Sequence, residues 1–281
     1  MHAGVDVRLL IPLLVAASSG AGLLGALTGL GGGVVIVPLL TLVFGVNIRY
    51  AIGASLISVI ATSSGAAAAY VREGYTNIRV AMFLEIATTS GALLGAYLAS
   101  RVRTHVIAVV FGVVLASSAL ASLRRRSDTG AASSDRIAAR LRLDGAFPTA
   151  DGRTPYHVRR VPLGFGLMFV AGGLSGLLGI GSGAVKVLAM DDTMRLPFKV
   201  ATTTSNLMIG VTATASAGVY FSRGYVDPVL ASSVMVGVLL GALLGARLLA
   251  VASTYALRLL FAGVILVLAG EMILGGITGR V

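Results

Sequence analysis

The chain has 281 residues, 56% of them hydrophobic and only 12% charged, with a mean hydropathy of +0.94 and a net charge of +11. That charged share is about half of what soluble domains carry, which excludes an ordinary cytosolic enzyme, a disordered chain and a secreted disulfide scaffold, and leaves a polytopic membrane protein. With no Cys at all, disulfides, thiol catalysis and thiolate metal sites are excluded too.

An apolar run begins at Leu9, after Met1 to Arg8. It continues into a glycine-rich motif without a convincing cleavage site, so it reads as a first membrane segment and not as a removed signal. Further apolar segments are expected near 33–46, 50–71, 78–100 and 105–123, then near 162–180, 183–190, 198–221, 228–250 and 255–275. Most approach the ~20 residues a helix needs to cross a bilayer. The second and seventh are too short to span upright, which predicts broken or half-length helices.

Between the two sets, Arg124 to Arg160 holds nine arginines. No nucleic-acid motif accompanies them, and a basic loop on the cytoplasmic side follows the positive-inside rule. Within it, Ser134–Asp135 is placed to cap a short surface helix with Ile137 and Leu141 on one face.

The two sets align at a constant offset of 150. Gly29, Gly31 and Gly33 match Gly179, Gly181 and Gly183; Ala51 and Ser55 match Ala201 and Ser205; Gly91-Ala-Leu-Leu-Gly-Ala96 matches Gly241-Ala-Leu-Leu-Gly-Ala246. Such a series at one register indicates a duplication. An odd number of crossings per half inverts the second half relative to the first, as in many secondary transporters. The expected fold is an all-α membrane protein of about ten transmembrane segments in two inverted five-segment repeats with broken helices. Residues 1–123 form the first repeat, 124–161 the basic cytoplasmic loop and 162–281 the second repeat, with both termini outside.

Backbone broken at membrane depth is tolerated only inside protein or against a watery cavity. The breaks at Gly31, Gly32 and Gly33 and at Gly181, Ser182 and Gly183 therefore suit an anion held by free N–H groups, with close packing as the alternative. For Gly91…Gly95 and Gly241…Gly245, close packing is the expected role. Lys186 lies three residues beyond the second break and is one of two lysines in the chain. Within an apolar segment it is a functional candidate unless it snorkels to water. Glu85 is a candidate to carry a coupling proton or to neutralise Lys186; the alternative is a carboxylate at a helix end. A hydroxyl and amide stripe includes Ser205, Met208 and Thr212 on one helix face with Asn206 adjacent, and Ser55 among its partners in the first half. It suits an oxyanion or helix–helix contact. Arg49 and Lys199 are equivalent, with anchoring favoured over a role as charged funnels. Asp191–Asp192 is expected in a solvated turn. Gly173-Leu-Ser-Gly176 resembles a rhomboid-type nucleophile motif, but Ser175 has no evident base among His2, His105 and His157. No His pair or carboxylate cluster stands at metal-ligand spacing, and no metal or other cofactor is expected.

The duplicated Gly-x-Gly-Gly-Gly…Pro motif, the Ala-x-x-x-Ser pair and Thr204-Ser-Asn-Leu-Met-Ile-Gly-Val-Thr212 resemble the TauE/SafE family of sulfite exporters. The resemblance implies a prokaryotic inner-membrane transporter of small anions, notably sulfite and organosulfonates. Its site would be lined by the two glycine breaks with Ser55, Ser205 and Asn206 nearby. Ser182 and Leu188 depart from the pattern, where the first half has Gly32 and Pro38. The expected partners are a small anion and lipid, with no nucleic acid and a homodimer left open. A passive anion channel is the competing function; an intramembrane serine hydrolase is a weaker third.

Overall fold

The computed structural model describes residues 7–28, 33–72, 74–122, 135–149, 152–249 and 254–279. Five helical elements precede the central segment: α1 Val7–Thr28, α2 Gly33–Pro38, α3 Ile48–Arg72, α4 Ile78–Ala99 and α5 Thr104–Ser122. After α6, Arg136–Arg140, and the strands β1, Gly145–Thr149, and β2, Gly152–Tyr156, five more follow: α7 Val161–Leu178, α8 Gly183–Leu188, α9 Phe198–Ser222, α10 Pro228–Leu249 and α11 Thr254–Ile277. The starts of α2, α3, α4 and α5 recur 150 positions later in α8, α9, α10 and α11.

Local chemistry explains the boundaries. The Asn77 side chain accepts the Val80 N–H and opens α4. Asp227, its equivalent, accepts the N–H groups of Val229 and Leu230 and opens α10. Both satisfy donors that a helix start leaves unpaired. The short elements are as expected: α2 passes into a single wide turn, Leu39–Val43, and α8 into its counterpart, Ala189–Thr193. Each continuous stretch rises about 16 Å, roughly half the hydrocarbon thickness of a bilayer. Two helices among the described residues, α4 and α7, are long and apolar enough to cross a membrane. Large apolar side chains such as Met82, Ile86, Leu163 and Val170 face outward on them, an arrangement suited to lipid.

The halves interlock. Helix α7 packs on α4 of the other half, and α1 packs on α10. Glycines permit the approach. A Cβ on Gly91 would strike the Phe169 carbonyl, and one on Gly172 the Thr88 carbonyl. The mates of these contacts, moved by 150 positions with the halves exchanged, are Gly241 against Ser19 and Gly22 against Val238. Both seams thus fulfil the close-packing expectation for Gly91 and Gly241. Helices α3 and α9 cross between the seams, and α5 pairs with α11.

The central segment is more ordered than the expected loop. Residues 124–134, Ser134 among them, lie outside the described ones; Asp135 stands at the start of α6, and its side chain makes no capping hydrogen bond. Beyond them α6 exposes Ile137 and buries Ala138, and Leu141 just after it is exposed. An antiparallel hairpin follows, in register from Gly145 opposite Tyr156 to Thr149 opposite Gly152, so the protein is not purely helical. The segment docks on α4: the Asn77 amide donates to the Leu143 carbonyl and to the Tyr156 hydroxyl, each at 2.8 Å. Burial pushes the Tyr156 phenol above its ordinary range, partly offset by the Asn77 bond. Ala138, Leu143, Tyr156 and Val158 share one apolar core with Val80 and Leu84 of α4.

Candidate functional site

Between α7 and α8 the chain turns through three left-handed residues, Gly179 at φ 68°, Gly181 at 69° and Ser182 at 47°. Only glycine adopts this region freely. A side chain on Gly181 would also meet Ile209, 2.9 Å from the Cβ position. Ser182 carries a Cβ there, at a cost of about 1 kcal/mol. Its buried hydroxyl has no hydrogen-bond partner among the described residues. Of the residues expected to form the two breaks, Gly31 and Gly32 lie outside the described ones, while Gly33, Gly181, Ser182 and Gly183 are all buried.

The serines of the crossing helices hold these breaks. Ser55 Oγ donates to the Gly179 carbonyl at 2.8 Å, tying α3 to the turn of the opposite half. Ser205 Oγ stands 3.4 Å from the Gly183 carbonyl. In this conformation both hydroxyls point to backbone oxygens. Asn206 is half-buried beside Ser205.

Lys186 is fully buried; it does not snorkel. Its Nζ donates to Thr212 Oγ1 at 2.7 Å, and that hydroxyl lies 2.8 Å from Glu85 Oε1. Thr89 Oγ1 donates to the same carboxylate oxygen at 2.9 Å. Glu85 Oε2 is buried with no hydrogen-bond partner among the described residues. Glu85 is therefore no helix-end carboxylate in water. Ammonium and carboxylate meet through one hydroxyl, drawn from α4 of the first half and α8 and α9 of the second. Leu84, Ala87, Val187 and Met208 belong to the apolar core around them. Ile36, Thr62 and Met235 occupy the equivalent positions in the duplication, so the charges belong to one half-site only. Sequence reading offered Glu85 as a neutraliser of Lys186; the bridging role of Thr212 was visible only as part of a stripe.

The remaining candidates resolve differently. Arg49 donates to the carbonyls of Ala99 and Val102, at the C-terminal end of α4, and lies 5.5 Å from the Tyr225 ring. Its equivalent Lys199 lies 5.8 Å from the Tyr75 ring. Both anchor one half on the other, and Arg49 also complements a helix dipole. Asp192 is exposed, but Asp191 is buried, contrary to the expected solvated turn, because the wide turn after α8 folds it inward. Ser175 is fully buried and its Oγ has no hydrogen-bond partner among the described residues. His157 Nδ1 instead lies 3.3 Å from Asp144. An open groove of about 450 Å³ runs between α3 and α9, lined by Ser63, Ser64, Leu207, Gly210, Val211 and Thr214, among others.

Replacing Ser182 by glycine separates strain from chemistry. Stability is expected to hold or to rise by up to about 1 kcal/mol, because the left-handed penalty disappears. Thermal unfolding in detergent checks this; a clear loss of stability would mean that the hydroxyl has a structural partner.

Comparison with known proteins places residues 14–272 in a match to the model of a family described as sulfite exporter TauE/SafE. Among curated proteins, the chain is 29% identical over 225 residues to the probable membrane transporter protein YunE of Bacillus subtilis, covering 77% of this chain and 80% of the relative. It is 27% identical over 216 residues to the probable membrane transporter protein YdhB of the same organism, covering 77% and 81%. A probable membrane transporter protein of Xylella fastidiosa is 28% identical over 229 residues, covering 80% of each chain. No solved structure matches.

Proposed function

The chain belongs to the sulfite exporter TauE/SafE family of transmembrane transporters, and from that premise we propose that it is a secondary carrier moving sulfite or an organosulfonate across the cytoplasmic membrane by alternating access. The observation that carries the reading is the fully buried ammonium of Lys186 just behind a helix break. A buried cation in an apolar span is costly unless function maintains it. The anion would lie against Lys186, with the backbone at Gly181, Ser182 and Gly183 on one side and Gly31, Gly32 and Gly33 on the other. Ser55, Ser205 and Asn206 would turn to it as the bond to Gly179 is exchanged. Ten segments in two inverted repeats would put both termini outside and the arginine-rich segment in the cytoplasm. Two groups of contacts support opposite ends: Arg79 with Arg142 and Arg159 with Met194 at one, Arg49 with Val102 and Tyr225 at the other.

The seams bear on what would move. Since α4 is wedged onto α7 and α1 onto α10, the rocking bodies would be these mixed pairs and not the two repeats. The α3–α9 crossing would be the hinge surface. An added Cβ at Gly210 would stand 3.8 Å from Ser63 Cβ, the separation a disulfide requires, about 3.8 Å. The natural chain has no cysteine to interfere. Oxidised Ser63→Cys/Gly210→Cys protein is expected to lose transport and to regain it on reduction. Full transport while cross-linked would show that this crossing does not move.

The experiment for the function itself is a thermal-shift screen of small anions on the purified chain, followed by counterflow in proteoliposomes. Ligand binding to the folded state raises the apparent melting temperature. Saturating, exchange-capable sulfite or sulfonate flux is expected; unsaturating conductance would favour a channel. No response to any sulfur oxyanion would remove the substrate class.

A further inference from the structure

We propose that Glu85 is the counter-charge that a bound anion must replace on Lys186, and that it takes up a proton when this happens, so that each monoanion moves together with one proton. The inference rests on the carrier reading above and names its coupling ion.

The geometry carries it in three steps. First, the site is already occupied by a negative charge of its own: Lys186 donates to Thr212, which stands within hydrogen-bond distance of Glu85 Oε1. An anion added beside the ammonium would leave two negative charges facing one positive charge in an apolar pocket, where uncompensated charge is strongly disfavoured. A proton on Glu85 restores neutrality. Second, the two carboxylate oxygens are not equivalent. Oε1 lies within reach of the Thr212 and Thr89 hydroxyls, whereas Oε2 is buried without a partner among the described residues. The proton would enter from water and bind Oε2, and the Thr212 hydroxyl proton can then turn to the Met208 carbonyl, 2.7 Å away. Third, among the described residues of the elements packed around Glu85, no other charge stands in its place. Helix α7 carries no titratable side chain between Val161 and Leu178; α9 carries Lys199 and Tyr220 toward its ends; Asp191 and Asp192 follow α8; Arg79 begins α4 and Tyr97 lies near its end. Among all these, Lys186 is the one that reaches Glu85 through a shared hydroxyl.

The equivalent positions in the duplication, Ile36 in the first half and Met235 in the second, are apolar. The duplication therefore supplies one charged pair per chain and one proton per cycle. Because the proton rides with the anion, an acidic compartment drives the substrate away from itself, whichever way the transporter faces.

The test uses ethanesulfonate, a monoanion whose own protonation does not change near neutral pH. It is titrated calorimetrically into the purified full chain in two buffers of different ionisation enthalpy, and the Kd is measured across pH. The wild type is expected to take up close to one proton per ethanesulfonate, and its Kd to rise about tenfold per pH unit wherever Glu85 is ionised in the empty protein. Glu85→Gln is expected to bind with no proton uptake and a flat pH profile. Ethanesulfonate binding to the wild type without proton uptake overturns the coupling and leaves the carrier reading intact. Uptake that persists in Glu85→Gln also overturns it, by assigning the proton elsewhere. Failure of the wild type to bind ethanesulfonate or sulfite at all overturns both the coupling and the reading beneath it. The wild-type proton count needs no variant, so a poorly folding substitution does not blunt the result.

Discussion

Lys186→Ala is expected to abolish anion binding and at the same time to destabilise the folded protein. The second effect arises because the substitution leaves the Glu85 carboxylate buried beside Thr212 and Thr89 without its counter-charge. Removing one partner of a buried pair typically costs about 3–5 kcal/mol. Glu85 is only partly buried, so the lower end is the expectation here. The combination Lys186→Ala with Glu85→Gln separates the two effects. Removing both charges should restore most of the melting temperature while leaving anion binding lost, since the ammonium that attracts the anion is still absent. At a ligand concentration of 100 times Kd, binding would stabilise the wild type by about 2.7 kcal/mol. The double variant should show none of this. An anion-induced shift that survives in either variant would remove Lys186 from the site.

Gly95→Val is expected to break the α4–α7 seam, with a loss of roughly 3 kcal/mol or outright failure to assemble. A Cβ at Gly95 would overlap the Gly173 carbonyl, and backbone of a packed helix cannot step aside as a flexible side chain can. Overpacking a well-filled core usually costs about 1–3 kcal/mol, and here the whole length of two helices has to separate. Gly241→Val, whose Cβ position overlaps the Ser19 carbonyl in the other seam, should behave alike. Gly218→Ala and Gly270→Ala are the controls: nothing lies within 4 Å of either Cβ position. Alanine should be neutral there or should stabilise by up to about 1 kcal/mol through its better helix propensity. Recovery and thermal unfolding of the purified variants measure all four. Equal tolerance at positions 95 and 218 would mean that the seam is not close-packed.

Much of the fold was legible along the chain. The half-length helices followed from apolar runs too short to span. The duplication followed from glycines and serines at one offset, and α2 to α5 recur at that offset in α8 to α11. The packing role of Gly91 was readable from its spacing to Gly95. Less legible were the hairpin at 145–156, hidden within a charge run, and the inward turn of Asp191. At the candidate site, Glu85 and Lys186 stood out because ionisable groups are rare in apolar segments. Neutralisation of Lys186 by Glu85 was one of the roles expected of the carboxylate; that the two, 101 positions apart, meet through the Thr212 hydroxyl was not readable.

The division has a physical basis. Helix length and breaks depend on residues within a few positions of one another, and the repeat shows as matches at one constant offset, so composition and spacing alone were enough to expect them. Which helix meets which depends on shape matched along entire seams. There the fold packs α4 of the first half on α7 of the second, and α10 of the second on α1 of the first, so the packed pairs are not the units that were duplicated. The same packing brings a carboxylate of one half under the ammonium of the other. Only that packing brings the partly buried carboxylate within one hydroxyl of the fully buried ammonium.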